Sequence, residues 1–274
     1  MKNRIKSFAI GLFAVIFTFG IALYQRITGP SYPITGKAEI GHQPVSFRLI
    51  RTYDGTDDAP IRILVPDTTI SGEIMLRRFK SYDPWQTVQM KRNGDTLTGF
   101  LPHQPPAGKI MYMVTLIKGG DRTRLNEHPA VLRFKGFVPG YFLYPHIFFI
   151  FLAMLFSTLT GLRALFGMKN TYLYTWITVL TLALGGMILG PVVQKFSFGD
   201  FWTGWPFGHD LTDNKSLVAF IFWVIALVAL KKHRENRLWP VIASIVLLGV
   251  FLIPHSVLGS EIDYTKKQQI ENTK

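Results

Sequence analysis

Residues 141–166 read YFLYPHIFFIFLAMLFSTLTGLRALF, with Arg163 the only charged side chain. A helix needs about 20 consecutive apolar residues to cross about 30 Å of hydrocarbon. The run exceeds that, and no polar face recurs along it, as one would on a helix of a soluble core. Working outward, similar runs occupy 172–193, 217–230 and 238–258, and another at 8–24 follows Lys2, Arg4 and Lys6. The run at 217–230 is the shortest and extends back through 214–216. Five spans are expected. The chain is 48% hydrophobic and 17% charged, but these averages merge apolar runs with a middle stretch of ordinary composition. The first run ends Ala22-Leu23-Tyr24-Gln25-Arg26 without a small-residue cleavage pattern, so it reads as an uncleaved signal-anchor.

Orientation follows the Lys and Arg of the short connections. With the N-terminus inside, the inner segments carry Lys2, Arg4 and Lys6, then Arg163 and Lys169, then Lys231, Lys232, Arg234 and Arg237. The loop at 195–215 holds Asp200, Asp210 and Asp213, and the tail after Leu258 is mixed. The chain thus divides into a signal-anchor helix (1–27), an exported domain (28–138), a four-helix membrane domain (139–260) and an outer tail (261–274). The net charge of +13 splits between the inner rim and the exported domain, where fifteen Lys/Arg oppose ten Asp/Glu. No nucleic-acid partner is needed to explain it; the bilayer is the expected partner. The absence of cysteine excludes disulfides, thiol catalysis, zinc-thiolate sites and c-type haem attachment.

Between 31 and 136, short alternating segments are separated by turn signals. Val45, Phe47 and Leu49 alternate with polar neighbours, as do Ile61, Ile63 and Val65; Ile74 and Leu76 precede Arg77-Arg78. Asn93-Gly94 predicts a type I′ hairpin turn. The strongest strand is 109–117, followed by Gly119-Gly120-Asp121, a strand at 123–125 and a last one at 131–135. About seven strands in roughly 105 residues fit an antiparallel sandwich. The stretch 97–116, with Pro105-Pro106-Ala107-Gly108 leading into a strand that carries Tyr112, resembles the later strands of fibronectin type III and immunoglobulin-like sandwiches. That resemblance implies a binding or spacer module rather than an enzyme; an envelope protein is a candidate partner of this domain.

Three histidines fall at one predicted depth. His146 follows Pro145 near the outer start of the second span, His209 is in the outer loop, and His255 follows Pro254 at the outer end of the fifth. Imidazoles from three elements suit a metal ion or haem b, while Asp210 and Glu261 are candidate proton acceptors. Each histidine taken singly is more often an interfacial side chain bonded to a helix end. His42, His103, His128 and His233 read as solvated. The loop 196–215, FSFGDFWTGWPFGHDLTDNK, alternates aromatic rings with glycines, which suits either an aromatic belt or a cap over the bundle. Thr212 or Asp213 is expected to cap the following helix. Gly185, Gly186 and Gly190 read as a close-packing helix face.

The segments 185–191, 201–215, 252–256 and 259–264 together resemble a group of uncharacterised bacterial inner-membrane proteins. The likeness covers the C-terminal half and implies a bacterial inner membrane with an outer-face cluster. Three classes of function follow: a metal- or haem-associated membrane subunit, a non-enzymatic partner-binding or assembly component, and a transporter. The last has least support, because the spans lack interior charges. Reporter fusions after Arg133, Lys169, Lys195, Arg237 and Lys274 are expected to alternate out, in, out, in, out. An inside signal at Lys274 would remove one span and separate the three histidines.

Overall fold

The structure, a computed structural model, describes residues 2–254 and 259–266. The chain divides into two compact units, one comprising Met1–Pro30 with Val138–Gly259 and the other Ser31–Phe137 with Ser260–Lys274. The first is helical: α1 (Lys2–Thr28), α2 (Gly140–Leu165), α3 (Thr171–Phe198), α4 (Leu211–Lys232) and α5 (Leu238–Leu252). Helices α1 to α4 are long and apolar enough to cross a membrane, whereas α5 has only 15 residues. The expected run to 258 therefore stops six residues early as helix, and Pro254 follows; residues 255–258 lie outside the described residues.

Small residues bring these helices together, as expected where lipid cannot drive association hydrophobically. A Cβ on Gly161 of α2 would lie 2.4 Å from Ser244 Oγ of α5, and that hydroxyl donates to the Ser157 carbonyl at 3.0 Å. Thr160, Thr175, Thr178 and Thr181 donate their hydroxyls to carbonyls four residues back. Their polar atoms are thereby satisfied within apolar helices. The buried centre is formed by Ala153, Met154, Leu182, Trp223, Ala226, Ala243 and Leu247.

The second unit is built of strands β1 (Ile34–Ile40), β2 (Gln43–Leu49), β3 (Thr52–Tyr53), β4 (Ala59–Leu64), β5 (Ile70–Arg78), β6 (Gln86–Gln89), β7 (Lys91–Asn93), β8 (Thr96–Leu101), β9 (Lys109–Lys118), β10 (Asp121–Arg124) and β11 (Ala130–Phe134). The largest sheet has the order β3-β11-β9-β5-β6, with β10 also paired to β9; a second has the order β4-β8-β7, and β1-β2 form a hairpin. All pairings are antiparallel except β11 with β3. Alternate residues of β4 and β8 (Ile61, Ile63, Leu97, Leu101) share one core with Ile74, Ile110, Val114 and Leu132 of the large sheet. Gly99 allows close approach here, because its Cβ would lie 2.4 Å from Ile74 Cδ1.

One local expectation is corrected. The β7–β8 register pairs Asn93 with Thr96, so the turn is Gly94-Asp95, and only Gly94 has positive φ, +56°. One positive-φ position replaces the two of the expected type I′ turn. Tyr112 is fully buried, and its hydroxyl donates to the Ile50 carbonyl 62 positions away at 2.7 Å. This tyrosine ties β9 to the β2–β3 connection. Burial pushes its phenol above the usual range, against the opposing pull of Arg51.

Candidate functional site

The connection between α3 and α4 is held by three side chains from the start of α4. Asp210 is the N-cap residue, its carboxylate accepting from Thr212 N at 2.7 Å; negative charge is favoured there by the orphan amides and the helix dipole. The cap is therefore Asp210, not Thr212 or Asp213, and the Thr212 amide is what it satisfies. Asp213 instead reaches across the loop: its Oδ2 accepts from Thr203 N at 2.7 Å and from Gln194 Nε2 at 2.9 Å. Gln194 also donates to Thr203 Oγ1 at 2.8 Å, and Asp210 N donates to the Thr203 carbonyl at 3.0 Å. Asn214 Oδ1 accepts from Trp205 N at 2.6 Å.

Gly204 lies within this network, where a Cβ would come 2.7 Å from both Asn214 Oδ1 and Asp213 Cβ. Asp210 and Asp213 are both buried. The loop they pin nevertheless leaves Phe201, Trp205 and Phe207 exposed, at 56%, 68% and 83%.

His146 occupies a different setting. Its Nδ1 lies 2.9 Å from the Gly185 carbonyl, and a carbonyl cannot donate, so Nδ1 carries the proton and Nε2 of the neutral ring keeps its lone pair. Gly185 belongs to a π-helical segment of α3, Ala183–Leu189, and its oxygen also accepts from Gly190 N. Glycine is required for the helix contact, since a Cβ on Gly185 would lie 2.9 Å from Ile150 N of α2. His209 is exposed, and His255 lies outside the described residues; His42, His103, His128 and His233 are exposed as expected. Among the described residues no three His, Asp or Glu side chains stand close enough to share a metal ion.

Two polar side chains that the sequence reading passed over close the end of α5. Lys215, buried in the first turns of α4, donates to the Ile253 carbonyl at 2.8 Å. Gln25 of α1 donates to the Phe251 carbonyl at 2.9 Å. These are carbonyls that a helix end leaves without an internal partner.

Glu261, considered above as a proton acceptor, belongs to the strand-containing unit, not to a free outer tail. Its carboxylate bonds Lys109 Nζ at 2.5 Å and pairs with Lys80. The same segment is fixed by Arg133 on the Ser260 carbonyl, Ile262 N on the Ala107 carbonyl (3.3 Å), Tyr264 Oη on Gln104 (2.8 Å) and Thr265 N on the Lys80 carbonyl (3.0 Å). Burial alone would raise the Glu261 carboxyl, but the bonds from Lys109 and Lys80 outweigh it and hold the group below its ordinary value. The two lysines respond oppositely: burial lowers Lys109, whereas the more exposed Lys80 is raised by its bond to Glu261.

Compared with protein-family models, curated proteins and solved structures, the chain matches none.

Because the folded Glu261 carboxyl titrates below its ordinary 4.5, its contribution is complete above pH 4.5 and is lost as pH falls through the lower folded value. Glu261→Gln is expected to remove about 1 kcal/mol of local stability, given the partial exposure of the pairs. Hydrogen exchange at Ile262 and Thr265 should accelerate about fivefold at pH 7, and taking the parent protein to a pH well below 4.5 should lower the protection of the same amides. Unchanged exchange in the variant would show that the ion pairs do not hold this segment.

Proposed function

We propose that the protein is an integral component of the bacterial inner membrane with a non-enzymatic, partner-binding role in an envelope complex. In this reading five helices form a membrane bundle with the N-terminus cytoplasmic. The strand-containing unit is an extracytoplasmic immunoglobulin-like sandwich, and the loop between α3 and α4 is the docking element. The observation that carries it is the pinned aromatic loop: Asp210, Asp213 and Asn214 hold the backbone at 203–205 while Phe201, Trp205 and Phe207 stay exposed. Aromatic anchors on an ordered scaffold bind at low entropic cost. The candidate acids support the same reading, because each is engaged in holding backbone or pairing with lysine.

Trp205→Ala combined with Phe207→Ala is expected to lower recovery of the co-solubilised complex at least about tenfold. Asp213→Ala, which unpins the loop without touching a ring, should do the same. If the rings merely sit among lipid headgroups, recovery stays at the parental level in both variants.

A second reading is favoured by His146. A histidine whose Nδ1–H is held by a carbonyl presents Nε2 in a fixed direction, the arrangement seen at metal and haem sites, and π-helical segments recur at functional sites. Here His146, with His209 and His255, would bind a metal ion or haem b. The purified protein would then show a Soret band or a stoichiometric metal that His146→Ala abolishes; absence of both from the parent protein removes this reading.

A further inference from the structure

At the end of the bundle where α2 turns into α3 and α4 into α5, the two connecting loops border an open cleft of about 580 Å³, and its charged side chains are exposed. Its lining includes Lys169, Arg234 and Arg237 and a single carboxylate, Glu235. Among the described residues none of these four forms an ion pair, so the three cations keep their charge uncompensated. The two arginines are nonetheless held in place. The Arg234 guanidinium lies 3.5 Å from the centre of the Tyr172 ring. The Arg237 guanidinium packs over Gly167, where a Cβ would come within 2.6 Å of it. Arg163, buried at the end of α2, donates to the Lys169 carbonyl at 2.7 Å and so fixes the first loop.

The backbone adds to the positive potential. Helices α3 and α5 both begin at this cleft, with Thr171 in its lining and Arg237 as the residue before Leu238. Neither has an acidic residue in its first turn; Asn170 makes no side-chain cap at α3, whereas Asn236 Oδ1 accepts from the Trp239 amide of α5 at 3.2 Å. The dipoles of both helices and the first amides of α3 favour an anion here. Arginine suits phosphate in particular, because its fork bonds two oxygens at once. The volume is in the range of small-molecule sites.

We infer that this cleft binds a phosphate-bearing anion, and specifically that it seats the headgroup of an anionic phospholipid between the loops. The headgroup assignment follows from position: the loops join helices long and apolar enough to span a membrane, so the cleft opens where phosphates of the leaflet lie. It is independent of the partner-binding reading, since it involves the opposite ends of α3 and α4 from the aromatic loop.

The full-length protein in neutral detergent tests it by thermal unfolding against dioctanoyl phosphatidylglycerol, dioctanoyl phosphatidylcholine and inorganic phosphate. Phosphatidylglycerol is expected to raise the melting temperature in a saturable manner and phosphatidylcholine to leave it unchanged. Lys169→Gln and Arg234→Gln should each weaken the phosphatidylglycerol effect about fivefold. Glu235→Gln, which removes the only opposing charge, should strengthen it. The last variant distinguishes loss of binding from loss of folding, because a disturbed fold cannot bind more tightly. Inorganic phosphate should compete only at far higher concentration than the lipid. Equal potency of phosphate would overturn the headgroup assignment in favour of a soluble anion. Equal shifts with both lipids, or an undiminished effect in the glutamine variants at 169 and 234, would overturn the site itself.

Discussion

In the proposed bilayer setting, the helical unit is organised by a shortage of water. In a bilayer every backbone carbonyl released by a helix end or a change of helical pitch must find a donor within the chain. The end of α5 shows the consequence most directly. The helix has 15 residues, about 22 Å at 1.5 Å per residue, against about 30 Å of hydrocarbon. Its terminal carbonyls therefore lie deeper than those of its neighbours in the proposed setting. Two side chains from other helices meet them: Lys215 at Ile253 and Gln25 at Phe251. An ammonium buried among apolar helices is costly, and its bond to the Ile253 carbonyl gives the charge a partner while closing a helix that proline ends.

The same constraint accounts for the side chains that attract attention as chemistry. His146 occupies the second acceptor site of the Gly185 carbonyl, whose first is taken by Gly190 across the π-helical turn. Asp210 closes the start of α4, and Asp213 serves a loop amide at Thr203. Arg163 performs the corresponding task at the other end by binding the Lys169 carbonyl. A polar residue used in this way is oriented as firmly as a ligand is. The arrangement around His146 thus suits a backbone anchor and a metal ligand equally in its Nδ1 contact, and the two differ only in what meets Nε2.

Readability from sequence followed the extent to which one face or one run is apolar. The five helices are visible because long apolar runs have few alternatives. Strands β4, β5 and β9 are visible because alternate residues are buried, as with Ile61 and Ile63. Strand β6 is not, since all four residues are exposed and carry no period-2 signal. Asp210, Thr212 and Asp213 are all competent caps, so residue type alone leaves the choice open; it is made by where residues 203–205 fold back onto α4. Lys215 with Ile253 and Glu261 with Lys109 join positions 38 and 152 apart, and no local pattern encodes pairings of that range. Glu261 illustrates the cost: read with its neighbours it is an outer-tail acid, while in the fold it is the anchor of the chain's last described segment.

That anchor bears on how many times the chain crosses the membrane. Residues 31–137 and the segment from Ser260 belong to one unit, joined by Glu261 with Lys80 and Lys109 and by Tyr264 with Gln104. Two segments in contact outside a bilayer lie on the same side of it, so in the proposed membrane setting the chain between Phe137 and Ser260 makes an even number of crossings. Helices α2, α3 and α4 are each long enough to cross, which is three. If all three cross, in the proposed membrane setting, parity assigns the fourth crossing to the short α5, although its length alone would leave it unassigned. Its deficit of about 8 Å against a typical bilayer is then met by local thinning or by the flanking residues. In that arrangement, the donors from Gln25 and Lys215 allow such a helix to end before the hydrocarbon does.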